Sequence, residues 1–142
     1  MARLTRAQSL TSGAKKTEFY SDFLTSFSKT PVGNQLAKVI NERAINQSLK
    51  NIILTNLGER LFQPRIGSNI TAMLFENDIE SNLTSLEFYI TNTIEINEKR
   101  VNLIEVNLES NKNDNELIIN IFYNTINNPE PTTFEYIYKR VR

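Results

Sequence analysis

The hydrophobic periodicity of this chain changes once, at Val101, and this change restricts the fold more than any other feature. Between about residue 42 and Val101, apolar residues recur every three to four positions, which is the spacing of one helix face. After it, apolar and polar residues alternate over three stretches that turn residues separate. Helices followed by strands predict an α+β domain, in which the helices cover one face of a sheet.

Three helices are predicted before the change. The first covers about residues 42–55, with Asn41 as its N-cap and Gly58 just past its end. A short helix capped by Ser68 or Asn69 follows, and a longer one covers about residues 81–97. The apolar stripes expected to enter the core are Ala44, Ile45, Leu49, Ile52 and Ile53, then Ile70, Met73, Leu74 and Phe75, then Leu83, Leu86, Ile90 and Ile94.

The alternation after Val101 predicts a C-terminal three-stranded antiparallel meander. The Asn-rich residues 111–115 and the proline-containing residues 127–131 are the expected turns. The last strand of a meander lies at a sheet edge, where a strand from another chain can pair with it. The residues expected to face one side are Ile104, Val106 and Leu108, then Leu117, Ile119, Ile121 and Tyr123, then Phe134, Tyr136 and Tyr138.

The N-terminal quarter of the chain lacks sustained periodicity. Residues 1–33 therefore predict an extended basic and aromatic arm, and residues 34–142 predict a single domain. Aromatic side chains in such an arm either anchor it to a partner or fold back on the domain. The expected anchors are Arg3, Arg6, Lys15, Lys16, Phe19, Tyr20 and Phe23.

The net charge of zero conceals a segregation of charge along the chain. Residues 1–33 and residues 34–75 each carry a net charge of +3, residues 76–135 carry −9, and residues 136–142 carry +3. Basic ends on an acidic body favour either self-complementary packing or docking to acidic neighbours. No stacking motif accompanies the scattered cations, so nucleic acid is not an expected partner.

The composition excludes several classes of site. The chain has no Cys and no His, which excludes a disulfide framework, a thiolate zinc site and catalysis of the Ser-His-Asp or Cys-His type. No run reaches the roughly 18 apolar residues of a membrane span, and the basic N-terminus lacks the apolar segment of a secretory signal. We therefore expect no metal ion and no membrane contact, and no feature of the composition indicates a cofactor or a catalytic residue.

The most distinctive motif is the connection of residues 56–67, between the first two helices. Gly58, Pro64 and Gly67 suit a loop that turns. A simple turn does not require the cationic and aromatic side chains Arg60, Phe62 and Arg65. Such residues on a rigid loop usually serve docking. Phe62 is expected either to pack with Pro64 and pin the loop, or to contact a partner.

Five segments carry a resemblance to a known family. They are residues 20–23, 41–55, 58–67, 74–77 and 98–100. The sequence GERLFQPRIG at 58–67 resembles a GERPF-x-P-x-x-G run, and residues 98–100 stand where the family has Glu-Pro-Arg. In this order and spacing, which cover about residues 20–142, the segments are similar to the baseplate-wedge, sheath-initiator family of contractile phage tails.

Two positions depart from the family pattern. Leu61 replaces the Pro that often follows Gly-Glu-Arg, and Lys99 replaces the central Pro of Glu-Pro-Arg. Because Pro fixes φ and restricts the residue before it, Lys99 makes the junction between helix and strand less rigid. The charged residues Glu98 and Arg100 are retained.

The resemblance implies a non-enzymatic baseplate protein of the virion tail, assembled in the host cytoplasm within a multi-subunit complex. The implied partners are other wedge proteins and the tail sheath protein, with hub or tube proteins as further candidates. Alternatives are a baseplate component of a type VI secretion or other contractile injection system and, because the family is also labelled lysozyme-like, a cell-wall hydrolase. Acid pairs such as Glu105 and Glu109 have the solvent-facing pattern, which does not favour the hydrolase.

The expected partner-binding residues lie in the loop, at the helix-to-strand junction and on the last strand. Glu59–Arg60 and Glu98–Arg100 are either surface ion pairs or intermolecular pairs, and their positions at junctions favour the intermolecular role. Arg100→Ala is therefore expected to block assembly and to leave the melting temperature within a few degrees. The full set is Gly58, Glu59, Arg60, Phe62, Pro64, Arg65, Gly67, Glu98, Lys99, Arg100, Phe134, Tyr136 and Tyr138.

Overall fold

The computed structural model of the chain describes residues 17–31, 33–74, 79–111 and 116–139. It has the predicted α+β architecture, with helices packed on one face of a C-terminal antiparallel sheet. No helix in these ranges is both long and apolar enough to cross a bilayer. The elements are β1 (Ser21–Phe23), β2 (Lys38–Ile40), α1 (Glu42–Leu54), α2 (Ile70–Leu74), α3 (Ile79–Asn97), β3 (Val101–Asn111), β4 (Glu116–Thr125) and β5 (Asn128–Lys139).

The helical stripes that periodicity predicted do form the core. All five predicted residues of α1 are buried, as are Ile70 of α2 and three residues of α3, and Leu83 and Met73 pack against this cluster. Phe75, which was predicted for the second stripe, lies outside the described residues. The buried residues of α3 are Leu86, Ile90 and Ile94.

Asn41 occupies the N-cap position of α1 but does not cap the helix with its side chain. Its amide instead binds the chain segment that precedes β1: Nδ2 donates to the Thr17 carbonyl at 2.9 Å, and Oδ1 accepts from Phe19 N–H at 2.9 Å. The predicted N-cap position is therefore confirmed, but the side chain makes no capping hydrogen bond. The competing partner is a backbone segment distant in sequence, which local propensity does not register.

The three C-terminal strands pair in the order β3-β4-β5, all antiparallel, as predicted. Along the central strand β4, every second residue is buried, and these residues include Leu117, Ile119, Ile121 and Tyr123. This alternation places one face of β4 against the helices and the other on the outside.

Two details of the sheet differ from the prediction. β5 begins at Asn128 rather than near Phe134, because prolines at 129 and 131 are accommodated at a sheet edge, where no ladder hydrogen bond is lost. In β3 the register shifts between Leu103 and Glu105. This irregularity leaves Ile104 exposed and puts the half-buried Leu103 against the core instead.

The C-terminal part of the predicted arm pairs with the segment that leads into α1. β1 is antiparallel to β2, with Asp22 opposite Val39. A bridge between Lys29 and Leu36 continues this pairing. Two-stranded structures of this length are marginal alone, so contacts with the helical domain must hold this one.

Candidate functional site

The junction between α3 and β3 centres on Glu98, whose side chain is only 4% exposed. Arg100 binds this carboxylate in a bidentate contact: Nε donates to Oε1 and Nη2 donates to Oε2, both at 2.6 Å. Ser48 of α1 donates its hydroxyl to Oε2, also at 2.6 Å. The carboxylate therefore ties the end of α3, the start of β3 and the middle of α1 together.

Two opposing effects set the pKa of the Glu98 carboxyl. Burial raises the pKa, because it disfavours the charged form. The hydrogen bonds from Arg100 and Ser48 and the charge of Arg100 favour the carboxylate and outweigh burial, so that the pKa lies below its ordinary value. Glu98 is thus held as a carboxylate rather than poised as a general acid.

Arg100 also contacts the N-terminal segment. Its guanidinium lies 5.5 Å from the centre of the Tyr20 ring, within the range of a cation–π contact. The Tyr20 hydroxyl accepts a hydrogen bond of 2.8 Å from Asn127, in the turn between β4 and β5. Of the three predicted arm anchors that the structure describes, Tyr20 packs against the core, whereas Phe19 and Phe23 are exposed.

The Glu98–Arg100 pair is intramolecular in this structure, which differs from the intermolecular pairing that the sequence favoured. Lys99 between them points outward and donates its ammonium to the Glu95 carbonyl at 2.7 Å. The Arg100 side chain keeps 36% exposure, so one face of it stays accessible. Partner binding by these three residues stays a prediction.

A second connection holds the N-terminal strands to α1. The Gln47 amide donates to the Phe23 carbonyl at 2.7 Å and to the Asp22 carboxylate at 3.2 Å. Its Oε1 accepts from Thr25 N–H at 3.2 Å. The arm cations Arg3, Arg6, Lys15 and Lys16 lie outside the described residues.

Backbone contacts at both ends close the loop between α1 and α2. Ser68 N–H donates to the Thr55 carbonyl at 2.8 Å, and Gly58 N–H donates to the Pro64 carbonyl at 2.9 Å. Gly67 has φ of 137°, and a Cβ there would lie 2.6 Å from the Thr55 oxygen. Only glycine fits this position without displacing the backbone, so the second glycine of the motif is explained by close approach.

The aromatic residue of this loop does not pack inward. Phe62 is 99% exposed, with φ of 70°, and the neighbouring Leu61 is 85% exposed. The expectation that Phe62 pins the loop by packing was therefore wrong, and Pro64 and Arg65 are exposed as well. The Glu59 carboxylate accepts from Asn56 N–H at 2.9 Å, and no ion pair between Glu59 and Arg60 is present in the described part of the chain.

Beside the loop, α3 presents a second apolar face that the sequence interpretation missed. Phe88, Tyr89 and Ile96 lie off the buried stripe and are exposed. Between this face and the loop runs a groove whose lining includes Leu57 and Arg65. The sequence did contain a sign of this second face, because three large apolar residues outside the core stripe indicate a helix that is apolar on more than one side.

The aromatic residues of β5 face the helices, and partner binding by them stays a prediction. Phe134 is buried, and Tyr136 and Tyr138 pack against the core. Lys50 of α1 places its ammonium 5.3 Å from the Tyr136 ring centre. The outer edge of β5 is paired with no other strand in the described ranges, so a partner would meet the main chain there.

The acidic residues that the structure describes do not converge on a cleft. Glu105 and Glu109 are both exposed on β3, and a glycosidase requires one carboxyl group in an apolar environment that raises its pKa. Two further acids, Glu76 and Asp78, lie outside the described residues. Among the described residues, the deeply buried carboxylate is Glu98, and its pKa is lowered.

Comparison with known proteins agrees with this geometry. The family described as baseplate wedge protein gp25 matches residues 40–130. The baseplate wedge protein gp25 of Enterobacteria phage T4 is 29% identical over 113 residues, which span 80% of this chain and 85% of that protein.

Two solved structures share the fold. A candidate tail lysozyme from Geobacter sulfurreducens superposes with a TM-score of 0.66 at 23% identity, over 75% of this chain and 98% of that one. A chain of the anti-feeding prophage baseplate gives a TM-score of 0.59 at 18% identity, over 84% of this chain and 85% of that one. At such identities these structures establish the fold alone. The family match spans more than half of the chain, and the protein therefore belongs to the baseplate wedge protein gp25 family, as a virion component of the tail baseplate.

Proposed function

We propose that this protein joins wedge subunits of the baseplate and nucleates sheath assembly by strand pairing, without catalysing a reaction. The observation that carries the proposal is the outer edge of β5, a strand of 12 residues with a partner on one side only. An unpaired edge presents a row of N–H and C=O groups that an extended segment of another chain can bind. The tail sheath protein is the proposed source of that segment.

The loop and the outer face of α3 are the proposed contact with other wedge proteins. Leu61 and Phe62 project from a loop that backbone hydrogen bonds hold closed. Large apolar side chains displayed on a rigid support are typical of the central contacts of interfaces. Arg60 and Arg65, exposed on the same loop, would contribute orientation rather than most of the affinity.

The arm is proposed to extend to a neighbouring subunit and to become ordered on assembly. Its C-terminal part is held by Tyr20 and Gln47, so the cationic residues before it start from a fixed point on the domain. Hub or tube proteins are further candidate partners. A baseplate of another injection machine is the second candidate host, favoured by the shared fold with the anti-feeding prophage baseplate.

Co-expression of the full chain with the sheath protein of the same genome tests strand pairing. Deleting the last strand would be a poor test, because it removes the buried Phe134. Glu135 lies in the regular part of β5, opposite Asn120. Glu135→Pro removes one N–H of this strand, and an unchanged melting temperature would show that the lost N–H is an outer-edge donor and not part of the ladder to β4.

Glu135→Ala is the matched control, because it removes the same side chain and keeps the N–H. We expect the wild type and Glu135→Ala to bind sheath protein and Glu135→Pro to lose binding while it melts within a few degrees of Glu135→Ala. Hydrogen exchange should slow at β5 when the complex forms. A complex that Glu135→Pro forms as well as the control, with unchanged exchange at β5, would refute pairing at this edge.

A further inference from the structure

The outer face of the sheet, opposite to the helices, is not a uniformly polar surface. Ile118 lies directly across from Ile137 in the β4–β5 register. Phe122 follows on the same face of β4, and Ile104 is exposed nearby at the irregularity of β3. A solvated sheet face normally carries polar residues at such positions, so this apolar centre indicates a contact surface.

Acidic residues surround the apolar centre. Glu105 and Glu109 lie on the β3 side, and Glu135 lies on the β5 side; all three are exposed and none is in an ion pair within the described ranges. Glu116 also belongs to this face, but Lys139 pairs with it at 2.6 Å. The described part of the face therefore presents an uncompensated negative rim, which favours a cationic occupant.

One polar atom on this face is also left unsatisfied. The Asn124 Oδ1 atom is buried and accepts no hydrogen bond from any described residue. Buried acceptors without a partner are rare in folded proteins. A donor brought by an occupant would satisfy it.

The chain itself contains a segment of matching chemistry. Residues 1–16 carry Arg3, Arg6, Lys15 and Lys16 and no acidic residue, and Leu4 and Leu10 lie between these cations. We propose, on the basis of the proposed function, that this segment of one copy docks on the acidic outer sheet face of a second copy in the baseplate. The cations would meet the glutamate rim, and the leucines would meet the apolar centre.

The geometry favours a second copy over the same chain. Thr17 and Phe19 bind Asn41 at the start of α1, and Tyr20 packs against the core, so the described residues that follow this segment are held on the helical side. The outer sheet face lies on the opposite side. A contact from the helical side of one subunit to the sheet side of the next is head-to-tail, which is the type that builds rings.

Paired charge reversals in the full-length chain test this docking. One variant carries Arg3→Glu, Arg6→Glu, Lys15→Glu and Lys16→Glu; the other carries Glu105→Lys, Glu109→Lys and Glu135→Lys. Sedimentation velocity over a concentration series at low salt is the measurement. We expect the wild type to self-associate, each variant alone to associate at least about tenfold more weakly, and an equimolar mixture to associate again, because both of its contacts are complementary.

The matched control reverses two exposed acids of α3, Glu87→Lys and Glu95→Lys, and should associate like the wild type. A wild type or a mixture that stays monomeric would overturn the proposal. A segment that docks on the sheet face of its own chain would also leave the wild type monomeric, so this outcome counts against docking on a second copy.

Binding to the sheath protein is measured on the wild type and the same variants, because the proposed sheath contact depends on the main chain of β5. A wild type that self-associates but does not bind the sheath protein would reject the proposed function and leave this inference standing. A wild type that binds the sheath protein but does not self-associate would reject only the inference.

Discussion

The guanidinium of Arg100 lies 5.5 Å from the ring centre of Tyr20 and also makes a bidentate contact with the buried carboxylate of Glu98. The same network includes Ser48 of α1, and the Tyr20 hydroxyl continues it to Asn127 between β4 and β5. The charged residues Glu98 and Arg100 of the family motif thus stabilise the fold at the junction between α3 and β3. This junction connects α1, the end of α3, the sheet and the N-terminal segment, and its exposed face stays available to partners.

Replacing Arg100 should destabilise the fold. Arg100→Ala leaves the Glu98 carboxylate buried without its cation, and breaking a buried pair costs about 3–5 kcal/mol; the partial exposure of Arg100 lowers the expected loss to about 2 kcal/mol. The melting temperature should fall by about 8 °C in calorimetry. This expectation replaces the small shift inferred from the sequence, because the burial of Glu98 was not known there.

Lys99→Ala is the control for Arg100→Ala. It removes the adjacent cation, which donates only to an exposed carbonyl of α3. We expect its melting temperature to stay within about 2 °C of the wild type. If Arg100→Ala melts as Lys99→Ala does, the pair contributes little to stability and serves assembly instead.

The stability of the protein should depend on Glu98 in acid. The pKa of this carboxyl is lowered in the folded state from an ordinary value of 4.5. Its contribution is therefore present above pH 4.5 and is lost as the pH falls through the lower folded value. Urea unfolding at several pH values should give a steeper acid slope for the wild type than for Glu98→Gln; equal slopes would contradict this account.

Tyr123 provides the opposite pH dependence. Burial, with the nearby Glu42 and Glu98 carboxylates, raises the pKa of its phenol from 10.0 to about 12. A raised pKa means that stability is present below pH 10 and is lost as the pH rises through about 12. Ultraviolet titration should find a late tyrosinate component that Tyr123→Phe removes, and this variant should also lose about 1 kcal/mol, since the hydroxyl donates to Asn46.

The periodicity of the sequence was enough to predict the core. Leu49 of α1 and Ile119 of β4 are fully buried, because a one-sided environment imposes the helical period of 3.6 and the strand period of 2 on apolar residues. The order of the strands followed from their short connections. These inferences depend on local geometry that every residue of an element shares.

The sequence could not predict features that depend on the path of a loop or on a distant partner. For Phe62 the sequence left packing within the loop and contact with a partner open, and the closed loop with positive φ at this residue turns the ring outward. Asn41 had the right residue type for a cap, yet its amide binds residues 17 and 19. The buried Glu98 likewise required knowledge of where Ser48 lies after folding.

The two loop glycines should differ in their tolerance of a side chain. Gly67→Ala places a Cβ 2.6 Å from the Thr55 oxygen at φ of 137°, whereas Gly58→Ala, at φ of 82°, meets no atom within 4 Å. We expect about 1 kcal/mol of strain for Gly58→Ala and about 3 kcal/mol or more for Gly67→Ala. Chemical denaturation of both variants measures the difference; similar losses would mean that the loop moves freely away from α1.

Phe62 should be dispensable for folding and important for assembly. Its ring makes almost no contact with its own chain, being 99% exposed, so Phe62→Ala should change the free energy of unfolding by less than about 0.5 kcal/mol. If the ring enters a pocket of a wedge partner, its removal should weaken that complex by about 2 kcal/mol, roughly thirtyfold. Leu36→Ala, at an exposed apolar residue near β2, is the control, and binding of purified wedge proteins by titration calorimetry is the measurement. Equal affinities for the two variants would show that the loop tip does not contact the partner.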